Sequence, residues 1–261
     1  MLGRPCRRGG DFYRHPILKI KIINPNTTWS MTRKIGQCAR QVAAPGTEIV
    51  AVSPDMGPAS IESHYDEALS VPGILQEIRL GEAAAVDAYV IACFGDPGLY
   101  AAREAARGPV IGIAEAAMHA ASMIGASFSV VTTLERTCGI AWHLAERYGM
   151  QRFCRKVRAC KLNVLELEQP GSAAYRIILE ECRQALQQDQ VDSIVLGCAG
   201  MTDLCRAIEE ELGIAVIDGV AVAVKLAESL VHLGLKTGKR GDLAYPLHKP
   251  YSGLLESFTQ T

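Results

Sequence analysis

The feature that most constrains this chain is that it matches itself. VDAYVIACFG (Val86–Gly95) aligns without gaps to VDSIVLGCAG (Val191–Gly200), and Val, Asp, Val, Cys and Gly recur at matching places 105 residues apart. Downstream, PVIGI (Pro109–Ile113) matches AVIDG (Ala215–Gly219) at an offset of 106. Upstream, KIINPNT (Lys21–Thr27) resembles SVVTTLE (Ser129–Glu135) at an offset of 108. Solenoid repeats have periods of roughly 20–50 residues, so a repeat this long implies two copies of a whole α/β unit.

The segment pattern agrees. Runs such as KIKII, AYVIAC, FSVV and SIVLGC are nearly continuously apolar or β-branched, as strands covered on both faces require. The expected strands are 17–24, 47–53, 87–93, 110–113, 127–133, 158–163, 193–198 and 215–217. The expected helices are 31–43, 67–84, 98–106, 115–124, 135–148, 173–189, 203–212 and 220–233. Strands alternating with helices predict an α/β fold of mostly parallel sheets. The expected organisation is two lobes related by a pseudo-twofold axis, 17–113 with 219–251 and 114–218, facing one cleft. Ligands of such sheets bind beyond the carboxyl ends of the strands.

Composition narrows the function. With 27 Lys+Arg against 28 Asp+Glu the formal charge is −1, which argues against a nucleic-acid partner. The most apolar run, LGIAVIDGVAVAV, is interrupted by Asp218, short of the roughly 20 apolar residues a membrane span needs. Residues 1–16 are basic and broken by Gly and Pro, and read as a disordered extension rather than a secretory signal. Nine cysteines, an odd number with no CxxC and no zinc-site spacing, fit a cytoplasmic protein and no metal site. The six histidines form no triad or metal spacing, and the Arg152–Arg158 and Glu209–Glu211 stretches read as solvated surface.

Cys93 and Cys198 each stand where a strand ends. Asp96 and Pro97 read as the cap and first residue of the following helix. A helix N-terminus beside a thiol lowers its pKa, so a thiolate near neutral pH is expected here. Two such thiols on opposite sides of a cleft suit inversion of a stereocentre. One removes a proton from one face of a carbon and the other returns it on the opposite face. Three other readings stay open: a carboxylate-handling isomerase, a thiol redox enzyme, and a two-lobed ligand-binding protein with structural cysteines. The loop Asn24–Thr28, the pair Thr132–Thr133, the segment Gly57–Glu62 and Asp218–Gly219 are further candidates to line or support the cleft.

INPNT, GPASIES, ACFGDPG, VVTT, LGCAGM and the late IDG together resemble the aspartate/glutamate racemase superfamily, and within it the hydantoin racemases, most of all those acting on allantoin. The resemblance runs from Ile17 to about Tyr251. It implies a cofactor-independent racemase and isomerase, with Cys93 and Cys198 as the acid/base pair and a homo-oligomeric assembly. It implies a small-molecule substrate, allantoin of purine catabolism, with aspartate- or glutamate-type substrates as the alternative. The expected substrate-binding residues are Asn26, Ser60, Ile61, Phe94, Gly95, Thr132, Thr133, Ala199 and Gly200.

Overall fold

The computed structural model describes residues 18–169 and 171–259; the expected extension at 1–16 lies outside them. The described residues form two four-stranded parallel sheets. The first holds β1 (Leu18–Ile23), β2 (Thr47–Val52), β3 (Ala88–Ile91) and β4 (Val110–Gly112) in the order β2-β1-β3-β4. The second holds β5 (Phe128–Thr132), β6 (Cys154–Ala159), β7 (Ser193–Leu196) and β8 (Ala215–Ile217) in the order β6-β5-β7-β8. The orders are the same under exchange of β1 for β5, β2 for β6 and so on. Each of the three self-matching segments falls on one of those equivalent strands.

The repeated aspartate has the same structural task in both halves. Asp87 Oδ2 accepts from the Lys19 N–H at 2.8 Å, and Asp192 Oδ2 accepts from the Ser127 N–H at 2.9 Å. Each carboxylate thus satisfies a donor at the start of the neighbouring first strand. Lys21 and Ser129, also equivalent, both reach a carboxylate on the helix that follows the second strand of their half. Lys21 Nζ lies 2.6 Å from Glu77 of α2 (His64–Ala83), and Ser129 Oγ lies 2.8 Å from Asp189 of α6 (Ala174–Asp189). Buried polar groups are tolerated because they are paired.

The helices α4 (Ile113–Ile124) and α8 (Gly219–His232) follow the last strand of each sheet and exchange partners. Ala114, Ala117 and Ala121 of α4 pack in the core around Phe128 and Val130 of the second sheet. Val220, Ala223 and Ala227 of α8 pack around Ile20, Ile22 and Val90 of the first. After α8 the chain runs back along the first half. There Thr237 N–H bonds to Arg107 O at 3.2 Å, and Lys239 Nζ reaches the carbonyls of Arg103 and Glu104.

Four expectations need correction. The strand expected at 158–163 is β6, Cys154–Ala159. The apolar residues of 160–164 serve instead to carry the chain past the cleft, with Cys160 and Leu162 N–H groups bonding to Thr132 and Thr133 carbonyls. Arg158 is not a solvated residue: its guanidinium pairs with Asp189 at 2.6 Å and Glu181 at 3.0 Å with its side chain 10% exposed. The helix expected from 67 starts three residues earlier. Ser63 caps it, accepting from the Asp66 N–H and donating to the Asp66 carboxylate. The helix expected from 203 begins at Cys205 as α7 (Cys205–Leu212), because a 3-10 turn over Ala199–Leu204 comes first.

Candidate active site

The cleft lies beyond the carboxyl ends of β3 and β7, where the parallel sheets of both halves leave backbone groups unpaired. Cys93 and Cys198 both line it. The sulfur of Cys93 faces the Gly95 N–H, and that of Cys198 faces the Gly200 N–H. The same two-residue turn therefore presents a donor to each thiol. It does so in two different backbones: Asp96 and Gly98 adopt positive φ (44° and 63°) after Cys93, whereas the 3-10 turn follows Cys198.

The expectation of acidic thiols is overturned. Burial pushes Cys93 strongly up, further raised by the carboxylates of Glu67 and Asp96, and the Gly95 N–H offsets this only in part. Burial also pushes Cys198 up, to about 11, with the Gly200 N–H and the Lys34 ammonium pulling it back. One backbone N–H does not outweigh removal from water. Lys34, on α1 (Trp29–Val42), reaches across from the first half. It pairs with Glu168 at 2.8 Å and Asp203 at 3.6 Å.

Asp96 is not the cap of α3 (Leu99–Ala105), whose N-cap is Gly98. Its buried carboxylate instead accepts from the Ala114 and Glu115 N–H groups at the start of α4, and from the Tyr148 hydroxyl at 2.8 Å. Gly112 makes room for it, since a Cβ there would strike the Asp96 carboxylate. The loop that carries Cys93 is thereby fixed to α4 and to the end of α5 (Glu135–Arg147).

Of the expected binding residues, Asn26, Ile61, Phe94, Gly95, Thr132, Thr133 and Ala199 line the cleft. Gly200 is not on its lining but supplies the N–H beside Cys198. Ser60 is not on the lining either; it precedes Ile61 in a loop held from both sides. On one side Thr27 N–H bonds to Pro58 O at 2.9 Å and Thr28 Oγ1 to Ala59 O at 2.7 Å. On the other, Val164 N–H bonds to Glu62 Oε1 at 2.7 Å. The Asn26 amide is oriented by its oxygen, which accepts from Asn24 Nδ2 and the Thr28 N–H, both at 2.9 Å. Among the described residues its NH₂ meets only the Met31 thioether at 3.4 Å, so it remains a donor for a carbonyl oxygen in the cleft. Thr132 donates to Gly197 O, joining β5 to the loop of Cys198. Asp218 supports rather than lines the site, capping α8 and accepting from Thr202 at 2.5 Å.

Asn24, in the candidate loop Asn24–Thr28, also lines the cleft; sequence reasoning missed Glu67, Thr137, Ile140 and Val164, which line it as well. Ser63-His64-Tyr65-Asp66 is a capping signature that places Glu67 in the first turn of α2, and was the available signal for it.

Comparison with known proteins adds to this geometry. The model of the Asp/Glu/hydantoin racemase family matches residues 20–227. The chain belongs to that family. It is accordingly an isomerase of the racemase type. Its relatives include a hydantoin racemase of Pseudomonas sp. (strain NS671), 50% identical over 241 residues, which cover 92% of this chain and 97% of the relative. The hydantoin racemase of Rhizobium meliloti is 51% identical over 236 residues, 90% of this chain and 98% of the relative. Among solved structures, the allantoin racemase from Klebsiella pneumoniae superposes with a TM-score of 0.92 at 52% identity, covering 94% of this chain and all of that one. Among the described residues, no helix is long and apolar enough to cross a membrane.

Proposed function

We propose that this racemase inverts the C5 stereocentre of a hydantoin ring, with allantoin as substrate in purine catabolism, by direct proton transfer between two thiols and without a cofactor. The observation that carries the reading is that two thiols, from equivalent strand ends of two halves, line one cleft. The C5–H of a hydantoin is acidic because the adjacent C4 carbonyl accepts the electron pair. One cysteine, as thiolate, takes that proton from one face, and the other, as thiol, donates its proton to the opposite face. The reverse reaction exchanges the roles, leaving the pair ready for the other enantiomer. Charge developing on the C4 oxygen needs preorganised donors, and the Asn26 NH₂ is placed and oriented to be one. Burial raises both thiols, so the thiolate–thiol form that reacts becomes more populated as pH rises, and activity should rise with it.

The relatives' names, hydantoin racemase and allantoin racemase, support the substrate class. The wall chemistry supports it over an amino acid: among the described residues no Lys or Arg lines the cleft to hold an α-carboxylate. The test is to incubate one pure enantiomer of allantoin with the protein and follow the circular dichroism signal against buffer and against a Cys93→Ser/Cys198→Ser variant. Decay to zero above both backgrounds is expected. Turnover of aspartate or glutamate with no effect on allantoin would overturn the reading.

A further inference from the structure

Each thiol loop is anchored in the half of the molecule to which it does not belong. Phe94, next to Cys93, is buried in the core that Val130 of β5 and Ala117 of α4 form in the second half. Ala199, next to Cys198, is buried in the core that Ile22 of β1 and Val220 of α8 form in the first. The polar anchors cross over as well. Lys34 of α1 donates to Gly200 O at 3.5 Å and to Leu167 O at 3.2 Å. Asp96, from the Cys93 loop, accepts from the Ala114 N–H at 3.1 Å, the Glu115 N–H at 2.9 Å and the Tyr148 hydroxyl at 2.8 Å. Asp96 makes these bonds with φ at 44°, a region that residues other than glycine enter rarely and at a cost. The loop closes behind it, the Asp96 N–H bonding to Cys93 O at 3.0 Å.

A strained residue tied by its backbone to the Cys93 carbonyl, with its carboxylate paired in the opposite half, fixes where the thiol stands across the cleft. We propose that Asp96 is a positioning residue: its three bonds hold the Cys93 sulfur where inversion needs it, so that a proton taken by Cys198 is answered from the other face rather than returned. The inference rests on the proposed racemase reading and deepens it. When Cys198 removes the C5 proton, the intermediate has two fates. Cys93 donates to the opposite face and the product is inverted, or the Cys198 thiol gives a proton back and the starting enantiomer re-forms. Proton transfer depends steeply on placement, a misplacement of about 1 Å costing on the order of 10²-fold. A loosened Cys93 loop slows the first fate and leaves the second. The longer-lived intermediate then lets the Cys198 thiol trade its proton with solvent before returning it.

The experiment incubates each pure enantiomer of allantoin in deuterated water with wild-type protein, Asp96→Ala, Tyr148→Phe and the double variant Asp96→Gly/Gly112→Asp. Inversion, and deuterium in the recovered starting enantiomer, are measured per folded protein with the uncatalysed background subtracted. The double variant caps α4 from position 112, as Asp218 caps α8. Pro97 stands where the second half offers Asp218 the Thr202 hydroxyl, so the relocated acid serves the helix without holding the loop. Asp96→Ala is expected to lose roughly 10–100-fold in inversion. Its ratio of exchange to inversion should rise by about 10-fold or more for one enantiomer only, the one whose C5–H faces Cys198. The double variant should show the same change in ratio, and Tyr148→Phe, with one bond fewer, a smaller change in the same direction. Loss of inversion and exchange in proportion for both enantiomers would mean that Asp96 only stabilises the fold, and would overturn the proposal. Recovery of the wild-type ratio by the double variant, or unchanged inversion in all three variants, would overturn it as well. Failure of the wild-type protein to invert either enantiomer is a different outcome, which overturns the racemase reading itself.

Discussion

The loop after β3 and the loop after β7 start alike and then diverge. Each ends a buried strand on a thiol and turns back so that the N–H two residues on faces the sulfur. In the second half, the carboxylate at the N-terminus of the next helix belongs to that helix: Asp218 caps α8 and accepts from Thr202 in the cysteine loop. In the first half, the matching position is Gly112, and the carboxylate comes from the cysteine loop itself, as Asp96. The same contact, a carboxylate between a thiol loop and a helix start, is made with the acid on opposite sides. Their electrostatics differ too. A carboxylate, Glu67, faces Cys93, whereas the Lys34 ammonium faces Cys198. The two halves place thiols at equivalent positions; burial raises both, and at Cys198 the Lys34 ammonium pulls back against it while Glu168 and Glu62 push further up.

The comparison breaks most severely if the two thiols are not equally required. Cys93→Ser and Cys198→Ser are each expected to reduce racemisation by about 10³-fold or more, since proton transfer by a positioned group contributes about 10²–10⁴-fold and a serine hydroxyl is far less acidic. Steady-state rates measured by polarimetry or circular dichroism check this. A single variant retaining a tenth of the wild-type rate would end the symmetric scheme.

The next effect is on stability. Asp96→Ala leaves three donors facing a void and should cost about 2–4 kcal/mol. In a chain of this size that lowers the melting temperature by roughly 4–15 °C. Asp218→Ala should cost less, because it frees two helix N–H groups and a hydroxyl that can turn elsewhere. Gly112→Asp in an Asp96→Gly background moves the acid to the side used in the second half and should recover part of the loss, whereas Gly112→Asp alone destabilises. Burial raises the Asp96 carboxyl to about 7, against the pull of its three donors. A carboxyl that titrates higher folded than unfolded stabilises fully below the ordinary carboxylate range, and that contribution is lost as pH rises through about 7. Melting curves from pH 5 to 9 should therefore show a decline that Asp96→Ala lacks.

A smaller effect sharpens the electrostatic contrast. Lys34→Met removes a cation that lowers the Cys198 pKa, so the alkaline rise of kcat/KM should move to higher pH, with a loss of about 3–10-fold at every pH below the thiol's own range. A loss with the alkaline rise left in place would assign Lys34 to holding Glu168 alone. Smallest of all, Arg206→Ala breaks an exposed pair with Glu210 and should change stability by no more than about 0.5 kcal/mol in thermal melts.

What was legible in the sequence follows the same division. The strand ends and both cysteines could be read because β-branched runs are local, and because a gap-free match across 105 residues singles out Cys93 and Cys198. Asn26, Thr132 and Thr133 followed from their place at the carboxyl ends of β1 and β5. Asp96 was misread because an Asp-Pro pair looks like a cap for its own helix, while its partners lie 18 to 52 residues away. Lys34 and Glu168 carry no mutual signature, being 134 positions apart in sequence. Glu67 was read only as the first residue of a helix, because the capping Ser63 and Asp66 just before it went unread, and its place beside the Cys93 loop is set by tertiary packing. The thiol pKa values depend on burial, which no motif spells out.

The most direct test of the two-thiol account is the destination of solvent deuterium. One pure enantiomer of allantoin is incubated with the protein in deuterated water, quenched at low conversion, resolved on a chiral column and weighed by mass spectrometry, with the uncatalysed background subtracted. Two thiols on opposite faces predict that the inverted enantiomer carries deuterium from the first turnovers while the recovered starting enantiomer stays protonated. Deuterium appearing equally in both enantiomers would mean one group serving both faces, and would contradict the account.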